Sequence, residues 1–244
     1  PYEFMPSESV KNAIENNGIL TSGGYHGQPI GTWSDDTSLT MATVESLVYC
    51  DGINLSDMSK RFINWYDLDY WSCGNGFDCG RTTSRSISEL KELFLNTAVL
   101  QGLLTEEDFV NCGGNGLMDN GNGSLMRILP FAFLQFNDDR EFIQTVTTVS
   151  SLTHAHKMST TSCVALCYFF KDLFKTDDYL RSWVNTANFL DSQDLIDNLT
   201  DLKIIDNLDG FLKSDYASKN PNTGFVVTTL QAVLWSLMNG RNYE

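Results

Sequence analysis

The chain is poor in proline, histidine and basic side chains, and it has no long apolar run. Only five of its 244 residues are prolines. No Pro/Ser-rich or low-complexity stretch marks a linker, so residues 1–244 read as one domain with a substantial core. No apolar run approaches the roughly 20 residues that a membrane span requires. Lys and Arg number 16 against 31 Asp and Glu, giving a formal net charge of −15. That balance excludes nonspecific nucleic-acid binding, which needs clustered cations, and an anionic membrane surface as partner. The six cysteines, at 50, 73, 79, 112, 163 and 167, include no Cys-x-x-Cys pair. A chain of this length folds without disulfides, so free thiols in a cytoplasmic setting are expected, with Cys163 and Cys167 buried one helical turn apart. The sequence opens on Pro1-Tyr2-Glu3-Phe4 without an initiator methionine, so it says nothing of a targeting segment.

Period-two alternation is scarce as well, and nearly every segment carries helical spacing instead. Ser7 is placed as the cap of a short helix ending by Gly18. A glycine-rich loop from Thr21 to Thr32 leads to a helix over Asp35–Tyr49. Asn54 opens the next helix, and an aromatic, glycine-bearing loop from Tyr66 to Gly80 follows. The next helix puts Ile87, Leu90, Leu93 and Phe94 on one face. A second glycine-rich loop, Cys112 to Gly123, precedes an apolar run that Pro130 must kink or stop. Helices are predicted at about 138–152, 157–174, 177–190 and 222–239. The fold class is all-α, a compact single-domain bundle of many helices.

Four polar patches sit at loop–helix junctions, where a helical scaffold carries its chemistry. Ser34-Asp35-Asp36-Thr37 offers the hard oxygens that Mg²⁺ or Mn²⁺ selects; the same residue types also cap helices. Glu3, between aromatic neighbours, is either a carboxylate with a raised pKa suited to acid–base work or a solvated terminal charge. Asp119-Asn120-Gly121-Asn122-Gly123-Ser124 lets backbone N–H groups approach an anion, though Asn-Gly pairs also make ordinary turns. It fits neither a P-loop nor a dinucleotide fingerprint. His154 and His156 lie two apart, a spacing that on a helix puts them on different sides and argues against a paired metal site.

Jointly the patches resemble one family. Tyr-Glu-Phe-Met at 2–5, Ser-Asp-Asp-Thr at 34–37, Gly-Asn-Gly-Ser-Leu-Met-Arg at 121–127 and Ser-Leu-Thr-His at 151–154 occur in the order and about the spacing of the ADP-ribosylglycohydrolases. The likeness runs essentially end to end. It implies an all-helical domain with two divalent cations, Mg²⁺ or Mn²⁺, that hydrolyses an N- or O-glycosidic ADP-ribosyl bond and releases ADP-ribose. Ser34, Asp35 and Asp36 match the metal ligands, with Ser where the family often has Thr. Glu3 matches the acid/base or gating glutamate. Asp119, Asn120, Gly121, Asn122, Gly123 and Ser124 match the loop for the diphosphate and neighbouring ribose, and His154 a histidine beside the nucleotide. Asp78 is similar to an aspartate facing the acceptor in arginine-directed members, while Arg127 reads as structural, tied to a carboxylate or carbonyl.

The implied partner is an ADP-ribosylated protein or small molecule, met by a monomer. The different class of outcome is a non-catalytic ADP-ribose-binding or crystallin-like homologue; keeping Glu3 with Ser34, Asp35 and Asp36 speaks against it, since a structural helix start needs one cap. Relative to the family pattern, a Gly-Asp-Ala-Leu-Gly-like stretch before Tyr2 and a Gly-Gly-Asp-Thr-Asp-Thr-like stretch after Glu244 are absent. The domain is therefore expected to be truncated at both termini, inactive alone, and to leave Leu230, Leu234 and Leu237 partly exposed.

Overall fold

The computed structural model describes residues 2, 5–18, 21–100, 103–199 and 224–240. Among them are nine α-helices, four short 3₁₀ turns and no strand. The chain runs α1 (Ser7–Asn17), α2 (Asp35–Tyr49), α3 (Leu55–Leu68), α4 (Arg81–Leu100) and α5 (Glu106–Val110), then α6 (Asp139–Ser151), α7 (Lys157–Thr176), α8 (Tyr179–Ser192) and α9 (Val226–Asn239). Three 3₁₀ turns, Leu117–Asp119, Leu125–Arg127 and Leu129–Phe133, fill the stretch between α5 and α6; the fourth, Ile196–Leu199, follows α8.

Capping chemistry explains most boundaries. Asn54 accepts a hydrogen bond from Asp57 N (3.0 Å) at the start of α3, Asp138 from Glu141 N at α6, and Asp178 from Arg181 N at α8. Each satisfies an N–H that has no partner inside its own helix. Thr105 and Asp108 form a reciprocal capping box that starts α5, an element too short to show periodicity. At α1 the cap position is Pro6, and Ser7 is the first helical residue. Pro130 sits at the start of the 3₁₀ turn Leu129–Phe133, so the apolar run forms two tight turns rather than a helix.

α7 is the axis of the fold. It packs against α6, α8, α9 and three of the 3₁₀ turns, and Ser159 to Cys167 are buried without interruption. A helix surrounded on all sides can carry apolar and small residues all round, as this segment does. Phe142, Val146 and Val149 of α6 and Phe169 of α7 lie in the same core as Trp183 and Leu190 of α8. Each large apolar side chain so buried contributes about 1.5–3 kcal/mol. Leu230 and Leu234 of α9 are fully buried, contrary to the expected exposure, because α9 docks on α7; Leu237 is half-buried against the core. All six cysteines are free, with Cys163 and Cys167 buried. No described helix is long and apolar enough to cross a membrane.

Candidate active site

Five segments far apart in sequence meet around one cleft of about 430 Å³. Its lining includes Asp35 and Asp36 of α2, the segment from Asp78 through the α4 start at Gly80 to Thr83, Gly121 to Gly123, His154, and Gly224. Gly31, with φ +83°, turns the glycine-rich loop toward α2.

At the acidic wall, Ser34 holds the cap position of α2 but its side chain does not cap. Its hydroxyl donates instead to Asp36 Oδ2 (2.8 Å), and Asp36 N donates to Asp35 Oδ1 (3.1 Å). Asp35 is buried and Asp36 exposed. The three oxygen-bearing side chains therefore form one local cluster. Behind them, the Trp71 carbonyl accepts from Trp33 Nε1 and Ser38 Oγ, pinning the 66–80 loop to α2. Glu45 anchors the same loop through Tyr70 and Trp71 and pairs with Arg61. Burial works against its charge, but the hydrogen bonds from Trp71, Tyr70 and Arg61 outweigh that and hold its carboxyl below the usual range. At the rim, Asp78 Oδ1 lies 3.2 Å from His26 Nε2, and the His26 ring stands between Tyr25 and Phe77.

The rest of the lining centres on the glycine loop, Gly121 to Gly123. A Cβ on Gly123 would come within 2.6 Å of Thr83 Oγ1 and 2.8 Å of His154 Cε1, so only glycine fits. Gly224 O accepts from Asn122 N and Asn120 O from Val226 N, both at 2.9 Å, which clamps the loop to the start of α9. The side chains of Asp119, Asn120 and Ser124 do not line the cleft; they support the loop from behind. Asp119 bonds Gly116 N and pairs with Arg85 at 2.9 Å. Arg85 foremost, with the Gly116 N–H, lowers its carboxyl pKa against the opposing effect of burial. Asn120 Oδ1 accepts from Ser159, and Ser124 is buried against Ser150 and Cys163.

His154 and His156 occupy the turn between α6 and α7 rather than a helix. His156 caps α7 through Met158 N. His154 is buried with one edge at the cleft, and burial, reinforced by the Arg127 charge, pushes its pKa down to about 3. Arg127 bonds the Val149 carbonyl, one of the partners its sequence implies. Glu3 lies outside the described residues. The α4 start, Met118 and Gly224, also in the lining, carry no local sequence signal, except that Gly80 before a periodic run marks a helix entrance; Met126, in the lining too, belongs to the 121–127 motif.

The ADP-ribosylglycohydrolase family model matches residues 1–244, and the chain belongs to that family. It is 22% identical over 243 residues to the ADP-ribosylarginine hydrolase Tri1 of Serratia proteamaculans, covering 99% of this chain and 58% of that protein. To Tri1 of Pseudomonas putida it is 24% identical, with the same two coverages. The ADP-ribosyl-dinitrogen reductase glycohydrolase of Rhodospirillum rubrum is 23% identical over 164 residues, covering 67% of this chain and 49% of that one. The fold matches a solved ADP-ribosylglycohydrolase-related protein complex with a TM-score of 0.65 at 22% identity, covering 91% of this chain and 65% of that one. The chain thus spans 58% of the length of the Tri1 proteins it matches.

Proposed function

We propose that this cleft hydrolyses an ADP-ribosyl glycosidic bond and releases ADP-ribose. The observation that carries the reading is that two carboxylates, Asp35 and Asp36, share one cavity with the glycine loop Gly121 to Gly123 and the N-terminus of α4. The carboxylates suit cations, and the loop and helix N-terminus suit oxyanions, as a diphosphate substrate beside a metal requires.

Ser34, Asp35 and Asp36 would hold the divalent cations. Their donor set fits: Mg²⁺ is held by one or two carboxylates with water and substrate completing the shell, and a serine whose proton goes to Asp36 keeps lone pairs to offer. Among the described residues no group of three or more His, Cys, Asp and Glu converges; the cluster offers two carboxylates and one hydroxyl. When bound, the metals supply Lewis-acid polarisation and a more acidic water. The chain's own residues do the rest. Gly121 to Gly123 and the first turn of α4 receive the diphosphate, and Met118, Met158 and Phe225, beside a neighbouring hollow, offer an apolar shelf. Asp78 at the rim faces a cationic acceptor, which favours an arginine linkage. Glu3 is assigned the proton transfer on its motif match.

The test is ADP-ribose release from arginine-linked and serine-linked peptides with Mg²⁺ or Mn²⁺, run beside ADP-ribose calorimetry. Release from the arginine peptide supports the reading in full. Absence of both release and ADP-ribose binding overturns it.

A further inference from the structure

Arg127 is buried completely beneath the glycine loop, in the 3₁₀ turn Leu125–Arg127. No carboxylate pairs with it among the described residues. Its guanidinium lies over the Phe62 ring at 4.6 Å, and Nε and Nη1 have no partner. An apolar side chain of similar volume would fill this place at no loss of packing, so packing alone gives no reason for the charge. What the guanidinium does do is donate from Nη2 to Val149 O (3.2 Å) and to Thr153 Oγ1 (2.8 Å).

Counting protons from there fixes the next partner. Arginine only donates, so Thr153 Oγ1 must accept from it. Thr153 has a single hydroxyl proton and is fully buried. Besides Arg127, its described hydrogen-bond neighbour is His154 Nδ1, at 2.9 Å. Were Nδ1 protonated, the threonine would accept twice and its own proton would be stranded in a buried site, which is the unfavourable arrangement. The hydroxyl therefore donates to Nδ1, and the imidazole carries its N–H on Nε2. Nε2 is the edge at the glycine wall: a Cβ on Gly121 would stand 3.5 Å from it.

We propose that Arg127 and Thr153 are positioning residues that lock His154 as the neutral Nε2–H tautomer, making it a one-way hydrogen-bond donor to a phosphate oxygen of the bound ligand. So held, His154 presents no lone pair to the cleft; it is neither a general base nor a metal ligand there. The nearby Arg127 charge also opposes a second proton on the ring. The phosphate assignment rests on the function proposed above, whereas the tautomer does not.

The experiment uses ¹⁵N-histidine-labelled protein, whose three histidines are assigned with His26→Gln and His156→Gln variants. Long-range ¹H–¹⁵N correlation of the unliganded wild type is expected to show His154 protonated at Nε2 and bare at Nδ1. A proton on Nδ1 overturns the proposal, and this readout needs no variant of the relay. Thr153→Val and Arg127→Met should give a mixed tautomer and weaken ADP binding in proportion to the Nε2–H fraction lost, about twofold for an even mixture, while adenosine, which lacks phosphate, should lose nothing. Thr153→Ser should restore both tautomer and affinity. An Nε2–H tautomer with ADP affinity unchanged in Thr153→Val overturns the phosphate half. An Nε2–H tautomer in a protein that binds neither ADP nor ADP-ribose instead overturns the functional reading and leaves the relay standing.

Discussion

The two walls of the cleft are built on opposite plans. The α2 wall puts side chains forward: Asp36 is exposed, Ser34 half-exposed, and their bonds run to each other and to the next residue along the chain. The glycine wall hides its side chains. Asp119, Asn120, Ser124 and Arg127 are all buried and spent on Arg85, Ser159, Ser150 and Thr153 respectively, so what this loop brings to the cleft is Gly121 to Gly123, with Met118, Met126 and one edge of an imidazole beside them. A wall of side chains changes its ligand when one residue changes. A wall of backbone changes only when its supports move. Binding and folding are therefore separable at α2 and fused at the glycine loop.

The sharpest break of that contrast is Gly123→Val. With Thr83 Oγ1 and His154 Cε1 already inside 3 Å of a first Cβ, the variant should lose stability by about 3 kcal/mol or more and ADP-ribose affinity with it. Parallel melting and calorimetry should move together; unchanged affinity would remove the loop from ligand binding. Asp36→Asn should do the reverse, leaving the melting temperature without metal nearly unchanged and cancelling the rise produced by Mg²⁺. At ten times Kd that rise corresponds to about 1.4 kcal/mol. If the rise survives the substitution, the α2 carboxylates only cap their helix.

Acid should separate the walls next. The folded-state pKa of His154 lies near 3, below its unfolded value near 6.5, so between those limits the unfolded chain binds the extra proton. Stability should fall as pH drops through this window, by about 1.4 kcal/mol per unit for this one group. A His154→Asn variant should show a slope shallower by that amount in urea titrations. The smallest effect is expected from Asp119→Asn, under about 1 kcal/mol, because it weakens an ion pair with the half-exposed Arg85 while keeping bonds to Gly116 and Thr82 within reach.

The same contrast governs what could be read from the sequence. α2 and α3 begin where Asp35 and Asn54 place them, because caps and apolar spacing are local signals. That Ser34, Asp35 and Asp36 form one cluster was equally legible, being three consecutive residues. α5 was overlooked although Thr105 and Asp108 spell its capping box, and the histidine pair was assigned helical geometry it does not have. The role of Gly80 to Thr83 depends on α4 being carried to Gly123, and nothing within those four residues records that approach. Asp119 and Ser124 were read as ligand contacts because the motif names the loop; which face of the loop a side chain takes is decided by Arg85 and Ser150, distant in sequence.

One backbone contact has a kinetic meaning. Gly121 forms a single antiparallel bridge with Phe225, about a hundred residues further along the chain, and closing so large a loop costs entropy before any contact repays it. The helices can form from local contacts in microseconds. The glycine loop cannot, since half of its clamp arrives with α9. During refolding, core burial should therefore precede ligand competence, and the lag between them should lengthen when Phe225 is changed to a residue that docks α9 less well.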